Sequence, residues 1–346
     1  MTALDVFADA DTKQAANEVF KIGYDNGGFV SGDIEAVLNS HDLSGYVGFV
    51  YGSGFETQPA LLESIASQLP LIGNKPIVVR NLKRALQFFT LLDALKIQHP
   101  EVSFKPLQNS EGWLQKNAGG SGGMHVVSAT SGVDLPKSCY FQREIDGVPV
   151  SALFLADGLQ AKIVGFNQQW VNPAHGMPFR YGGVVSQADL PAAVKSQLVE
   201  YAQKLTSAVG LRGLNSLDGV MVGDQLWVLE INPRLSSTFD LYQSAQANLF
   251  DLHVNACLGK PIVWPDFPKR AKAREIFYAP TDLDFYEQIN WPEWVADIPV
   301  QHSQIAAENP VCTVLAEAES AVVARELAAT RSHELKNIIN KYRKEG

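Results

Sequence analysis

The spacing of hydrophobic positions changes period several times along the chain, and each change marks an element. Helical spacing predicts helices over residues 11–22 and 33–41. Residues 46–51 (YVGFVY) then read as a buried strand, closed by Gly52–Ser53–Gly54, with a helix expected over 58–68. That order is the signature of a βαβ-type, usually parallel, unit in the first 75 residues. Gly73–Asn74–Lys75–Pro76 supplies a turn and a domain boundary.

Residues 80–96 (RNLKRALQFFTLLDALK) pattern as one amphipathic helix. Short strand-like runs broken by glycine follow: WLQK at 113–116, MHVVSAT at 124–130, SCYFQREI at 138–145 and VSALFLADG at 150–158. Helical patterning returns over 189–209. A hairpin (LNSLDGVMV, QLWVLEI) follows, and then a helix is expected over 237–258. Beyond Pro261 come strand-like REIFYAP, a Trp/Pro-rich stretch, strand-like VCTVLAE and a last helix from about Ser320. The mixture predicts an α/β (α+β) fold, with three divisions at 1–75, 76–260 and 261–346.

Composition narrows the class. With 346 residues, 46% hydrophobic and 19% charged, the chain is neither disordered nor fibrous. Its 28 basic and 37 acidic residues leave a net charge of −9, against broad nucleic-acid binding, which rests on phosphate neutralisation. The one basic cluster, Lys336, Lys341, Arg343 and Lys344, reads as the polar face of the terminal helix. Cys139, Cys257 and Cys312 have no disulfide or zinc-ligand spacing. The first 25 residues do not read as a secretory signal, and no apolar run approaches the roughly 20 residues of a membrane span. The expectation is a cytoplasmic, acidic, multi-domain protein.

Two segments carry candidate chemistry. Gly119, Gly120, Gly122 and Gly123 surround Ser121 just after Lys116. Glycines let backbone N–H groups approach an anion closely. Neither GxxxxGK[ST] nor GxGxxG is present, and strand-like flanks suggest a mobile loop folding over a nucleotide. The same residues satisfy GxSxG, the nucleophile elbow of serine hydrolases, which would make Ser121 a nucleophile; that motif needs a helix after it.

The second segment, LNSLDGVMVGDQLWVLEINPR (214–234), is an acidic hairpin. A three-residue turn at Gly223–Asp224–Gln225 sets Asp218 opposite Glu230 and Ser216 opposite Asn232. Val220, Val222, Leu226 and Val228 would then share their face, whereas a two-residue turn would put the carboxylates on opposite faces. Directly opposed side chains have Cβ atoms about 4.5–5.5 Å apart, too close for two carboxylates to ionise without compensation. A hard divalent cation compensates, with Asn232 as a further oxygen ligand. Arg234 stands just beyond, able to neutralise a phosphoryl group.

Together, WLQKNAGGSGGMHV, CYFQREIDGVPVS and LDG…WVLEINPR resemble the ATP-grasp superfamily in order and spacing, over about residues 73–260. The resemblance implies a Rossmann-like first domain, two nucleotide-clasping subdomains and a C-terminal segment. It implies that Lys116 contacts ATP phosphates, that Gly119–Gly123 with Ser121 cover them, and that Phe141–Ile145 form a hinge against adenine. Gln142, Arg143, Glu144 and Ile145 are then nucleotide-binding candidates, and Asp218, Glu230 and Asn232 the Mg²⁺ ligands. Arg234 matches the arginine of the E-x-N-P-R motif, catalytic together with Lys116. An Asp-Lys pair common in the family is missing. Arg84–Ala85 occupies its place, and Lys83 or Arg84 either substitutes or is a solvated helix charge.

REIFYAP…WPEWVADIPV…NPVCTVLAEAES is similar to the C-terminal segment of a small ATP-grasp group related to biotin carboxylase. That group includes ligases joining glutamate to tyramine or tyrosine for methanofuran-type one-carbon carriers. The implied reaction is ADP-forming amide synthesis through an acyl phosphate, with ATP and Mg²⁺. Its partners are a small-molecule carboxylate and amine, not nucleic acid or membrane, and a homo-oligomer stays open. Arg180 and Arg212 are candidates for holding a carboxylate or are structural ion pairs. His125 is either catalytic or an incidental loop histidine.

Overall fold

The computed structural model describes residues 1–25 and 27–342. The chain forms two compact units: Asp42–Tyr181 with Ala188–Pro268, and Met1–His41 with Gly182–Gln187 and the chain from Lys269 onward. The chain therefore leaves each unit and returns to it.

The larger unit is built on antiparallel strands in the order Gln225–Asn232, Arg212–Val222, Val148–Asp157, Ala161–Val171. Every residue from Val150 to Ala156 is buried, as suits an interior strand. The helix Ala192–Val209 packs Val194, Leu198, Ala202 and Leu205, at helical spacing, into the core of this unit. Phe88, Phe89 and Leu92 of the helix Ala85–Ala94 join the same core. A second sheet sets Val102–Ser103, Cys139–Arg143, Trp113–Asn117 and Val127–Ser128 side by side. Phe49–Val50 pairs in parallel with Leu71–Ile72 around the helix Pro59–Ala66, so the expected strand–helix–strand unit forms with short strands.

The single helix expected over 80–96 is two helices, Pro76–Lys83 and Ala85–Ala94. Arg84 between them is extended, with φ −88° and ψ 111°. The apolar stripe continues across the break, so periodicity alone cannot register it. The turn buries Lys83 and leaves Arg84 exposed. Similarly, the helix expected over 237–258 shortens to Leu249–Cys257, where the Asn248 side chain accepts the Asp251 N–H. Residues 239–241 form only a 3-10 turn, and Tyr242 after it is buried.

In the smaller unit the helix expected over 11–22 ends at Ala15, and Glu18–Lys21 pairs in parallel with Thr2–Asp5. Val19 and Phe20 favour that pleated partner surface over a helix. The Asp11 carboxylate accepts the backbone N–H groups of Asp297 (2.7 Å) and Ile298 (2.8 Å), which ties the first residues to the C-terminal segment. There Ala271–Tyr278 pairs with Pro310–Ala318, and the closing helix Ala321–Ile339 begins at Ser320, whose side chain caps it. Lys336 and Lys341 are solvated, whereas Arg343 and Lys344 lie outside the described residues.

Candidate functional site

The acidic hairpin carries the site, and its register differs from the expected one in an instructive way. The turn has two residues, Gly223 and Asp224, because Val222 pairs with Gln225, Met221 with Leu226 and Val220 with Trp227. By itself this would separate the carboxylates. A β-bulge at Leu229 inserts one residue between the pairs Gly219–Val228 and Asp218–Glu230, and restores both Asp218 opposite Glu230 and Ser216 opposite Asn232. Leu226 and Val228 consequently lie on the other face, in the core that also takes in residues of the helix Ala192–Val209, and not beside Asp218 as expected.

Asn232 bridges the pair: its Nδ2 donates to Asp218 Oδ2 at 2.8 Å and to Glu230 Oε1 at 3.4 Å. The other Asp218 oxygen, Oδ1, is buried without a hydrogen-bond partner. Burial and the neighbouring Glu230 push the Asp218 carboxyl up to about 7. Burial acts on Glu230 in the same sense, but Lys83 and Lys116 outweigh it and keep Glu230 ionised. One proton-prone and one ionised carboxylate is what two facing acids adopt without a cation between them. Among the described residues, no three His, Cys, Asp or Glu side chains are grouped so as to hold a metal ion. Two carboxylates and an amide are therefore what the chain offers a metal, an all-oxygen set suited to a hard cation.

Three cations converge on this face. Lys83 donates to Asn232 Oδ1 at 2.7 Å and pairs with Glu230 Oε2 at 3.3 Å. Lys83 is buried at this face, so it is not a solvated helix charge, whereas Arg84 is exposed. Lys116, on the strand Trp113–Asn117, donates to Gln142 Oε1 at 3.0 Å. Burial holds its pKa below the ordinary lysine value, against the attraction of Glu230. Gln142 is buried, and its Nε2 has no partner.

Arg234 is the third. Its Nε donates to Glu56 Oε1 at 2.6 Å, and its terminal nitrogens reach Leu235 O (3.0 Å), Ser53 Oγ (3.4 Å) and Asn232 Oδ1 (3.4 Å). Burial alone would raise the Glu56 pKa, but Arg234 and Lys83 hold it below the usual range. Glu56 was missed in the sequence. The available signal was its place two residues after Gly52–Ser53–Gly54, where its Oε2 accepts the Gly54 N–H at 2.6 Å.

The glycine loop folds back on its surroundings. Tyr181 N–H donates to Gly122 O at 2.9 Å, and a Cβ at Gly123 (φ +70°) would run into the Phe179 carbonyl. A Cβ at Gly120 would strike the His125 ring, whose buried Nδ1 has no partner. Burial and Lys116 keep that imidazole neutral. No helix follows the loop until Ala192, so Ser121 does not sit on a nucleophile elbow, and the hydrolase reading is dropped.

The remaining candidates are not drawn together. The Arg143 side chain lies over the Trp113 ring and donates to Glu111 O, while the backbone N–H groups of Arg143 and Glu144 bond to Glu101 O and Gly112 O. Ile145 is half-buried just past that strand. Arg180 is buried and donates to Asn172 O at 2.8 Å, one residue before the Tyr181–Gly122 bond. Arg212 reaches Ala256 O at 3.5 Å, at the C-terminal end of the helix Leu249–Cys257, a position that a cation stabilises electrostatically. That contact gives Arg212 a helix-end role.

Comparison with known proteins follows the same lines. An ATP-grasp domain model matches residues 83–238, beginning at Lys83 and ending past Arg234. An uncharacterised protein of Methanocaldococcus jannaschii is 22% identical over 262 residues, which is 71% of this chain; the chain spans about 64% of that relative's length. Among solved structures, the biotin carboxylase domain of Hydrogenobacter thermophilus 2-oxoglutarate carboxylase, in complex with MgADP, ADP and bicarbonate, superposes with a TM-score of 0.72 at 10% identity. The match covers 100% of this chain and 90% of that one. Carboxyaminoimidazole ribonucleotide synthase from Aspergillus clavatus, complexed with ATP, gives 0.69 at 12% identity over 98% and 92%. Biotin carboxylase from Campylobacter jejuni gives 0.72 at 13% identity over 99% and 97%. The chain therefore has the ATP-grasp fold, and residues 83–238 match the ATP-grasp domain model.

Proposed function

We propose that this protein is an ADP-forming ligase that uses ATP to join a carboxylate to an amine. The observation that carries the reading is the convergence of Lys83, Lys116 and Arg234 on the face where Asp218 and Glu230 oppose each other beside Asn232. Three cations beside two facing carboxylates make a site for a polyanion carried with a divalent metal.

In this reading Asp218, Glu230 and Asn232 would hold Mg²⁺. When bound, the cation neutralises charge on the phosphoryl oxygens. Lys83 and Lys116 hold the phosphates, the N–H groups of residues 119–123 cover them, and Gln142 through Ile145 receive the base. Arg234 holds the acceptor carboxylate while Glu56 fixes its guanidinium, and Arg180 remains a second carboxylate candidate. An acceptor carboxylate oxygen attacks the γ-phosphorus, and the bond to the β-phosphate oxygen breaks to release ADP. The amine nitrogen then attacks the acyl carbon, expels phosphate and loses a proton. Exclusion of water by the closed loop protects the acyl phosphate.

For substrates we propose glutamate as acid and tyrosine or tyramine as amine, on the C-terminal segment's similarity. Among the described residues no helix is long and apolar enough to cross a membrane, and all three cysteines are free thiols, which suits a reducing cytoplasmic setting. The test is an ADP-release screen of amino acids against aromatic amines and amino acids, with mass spectrometry of products. Turnover requiring both an acid and an amine, and abolished by Glu230→Gln, is expected. Retained turnover in that variant would sink the metal assignment. Inactivity with glutamate plus tyrosine or tyramine would remove the substrate assignment alone.

A further inference from the structure

A line of polar side chains runs straight across the sheet from the acidic pair into its interior. Glu230 pairs with Asp218, Asp218 with Ser151, and Ser151 with Asn167, across four neighbouring strands. Directly paired residues point to one face, so the row begins in the site and ends beneath Tyr242. Ser151 and Asn167 are 0% exposed and Tyr242 is 1% exposed. Apolar residues would fill such positions at no desolvation cost, and buried polar groups are stable only where hydrogen-bonded.

The bonds all run in one direction. Tyr242 O–H donates to Asn167 Oδ1 at 2.7 Å, and Asn167 Nδ2 donates to Ser151 Oγ at 3.2 Å. The Ser151 hydroxyl proton is then left to donate, and its cross-strand partner is Asp218, whose Oδ1 is buried without a partner. Ser151 and Asp218 are not hydrogen-bonded to each other here; the pairing sets a hydroxyl with a spare proton beside a carboxylate oxygen with no donor. Its far end is held just as firmly: the Tyr242 ring lies over Gly165, two residues from Asn167 on the same strand, where any Cβ would collide with it. Tyr242 belongs to the segment that follows Arg234.

We infer that Ser151, Asn167 and Tyr242 form a positioning relay that orients Asp218 for the divalent cation. They are positioning residues, since none of them touches the cation. The inference rests on the metal reading proposed above. Donation to one carboxylate oxygen fixes the rotation of the group and directs the other oxygen at the metal. Such outer partners commonly change metal affinity by roughly 10–100-fold.

The test is a titration of full-length protein with Mn²⁺ at saturating ADP, read by the electron paramagnetic resonance signal of free Mn²⁺, alongside thermal unfolding without metal. Ser151→Ala is expected to weaken Mn²⁺ binding roughly tenfold, and Tyr242→Phe to weaken it less. A merely structural role would lower the unfolding midpoint and leave the Mn²⁺ affinity unchanged. Wild-type affinity in both variants, with binding lost in Asp218→Asn, would overturn the relay and keep the metal site. Wild-type affinity in Asp218→Asn would overturn both. If Ser151→Ala does not fold, Tyr242→Phe, which removes only a hydroxyl, decides alone.

Discussion

Lys83 Nζ lies 2.7 Å from Asn232 Oδ1, joining positions 149 residues apart, and Lys83 is the last residue on the buried face of the helix Pro76–Lys83. Lys83→Met is therefore expected to lower ADP formation by about 10²-fold or more, as loss of an oriented charge at a transferring group does. Arg84→Ala is expected to stay near wild type. Comparable losses in both variants, measured by coupled ADP release, would contradict the assignment.

Stability of the metal-free protein carries the sign of Asp218. The folded state binds this proton more tightly than the unfolded chain, with the carboxyl raised from 3.8 to about 7. Its contribution to folding is complete below pH 3.8 and is lost as pH rises through about 7, at most ~1.4 kcal/mol per pH unit. The buried His253 and half-buried His125, both held neutral, act with the opposite sign. The comparison that isolates Asp218 is thus wild type against Asp218→Asn in EDTA. The variant should gain relative stability from pH 5 to 8. A constant difference in unfolding midpoint would refute the coupling.

Arg234 and Glu56 form an ion pair whose side chains are 9% and 4% exposed. Removing one partner leaves a buried charge alone, so Glu56→Ala should cost about 3–5 kcal/mol by denaturant unfolding. Glu56→Gln keeps an acceptor for Arg234 Nε and should fold better while raising KM for the acid substrate. Because Glu56 stays ionised below the usual range, its stabilisation is lost only as pH falls through its depressed folded-state pKa.

Gly123 and Gly122 both have left-handed backbones, but only Gly123 also abuts the Phe179 carbonyl. Both alanine variants carry a left-handed backbone cost of ~1–2 kcal/mol, and Gly123→Ala adds the collision with the Phe179 backbone, so it is expected to raise KM for ATP by about tenfold or more. Gly122→Ala, with open space at its Cβ, should do less. Equal effects would show that backbone conformation alone governs the loop.

The hairpin shows where sequence reasoning reached and where it stopped. The opposition of Asp218 and Glu230 was legible from composition and spacing, yet by a three-residue turn that the chain does not make. A bulge at Leu229 supplies the missing residue, and bulges have no periodic signature. The serine of GxSxG illustrates the converse: a local pattern complete in sequence fails because no helix follows it.

By itself the sequence determined what is local: the glycine loop after Lys116, the acid pair with Asn232 and Arg234 on one hairpin, and most helix positions. These need only the periods of helix and strand and neighbours a few residues away. Tertiary structure alone decided that Lys83 meets Asn232, that Glu56, 178 residues before Arg234, holds its guanidinium, and that Ser151, bonded through Asn167 to Tyr242, is paired with Asp218. Each depends on which distant strands pair and on where burial makes an unpaired charge or hydroxyl too costly. The net charge of −9 speaks against broad nucleic-acid binding, and only the fold gathers three cations on the acidic face.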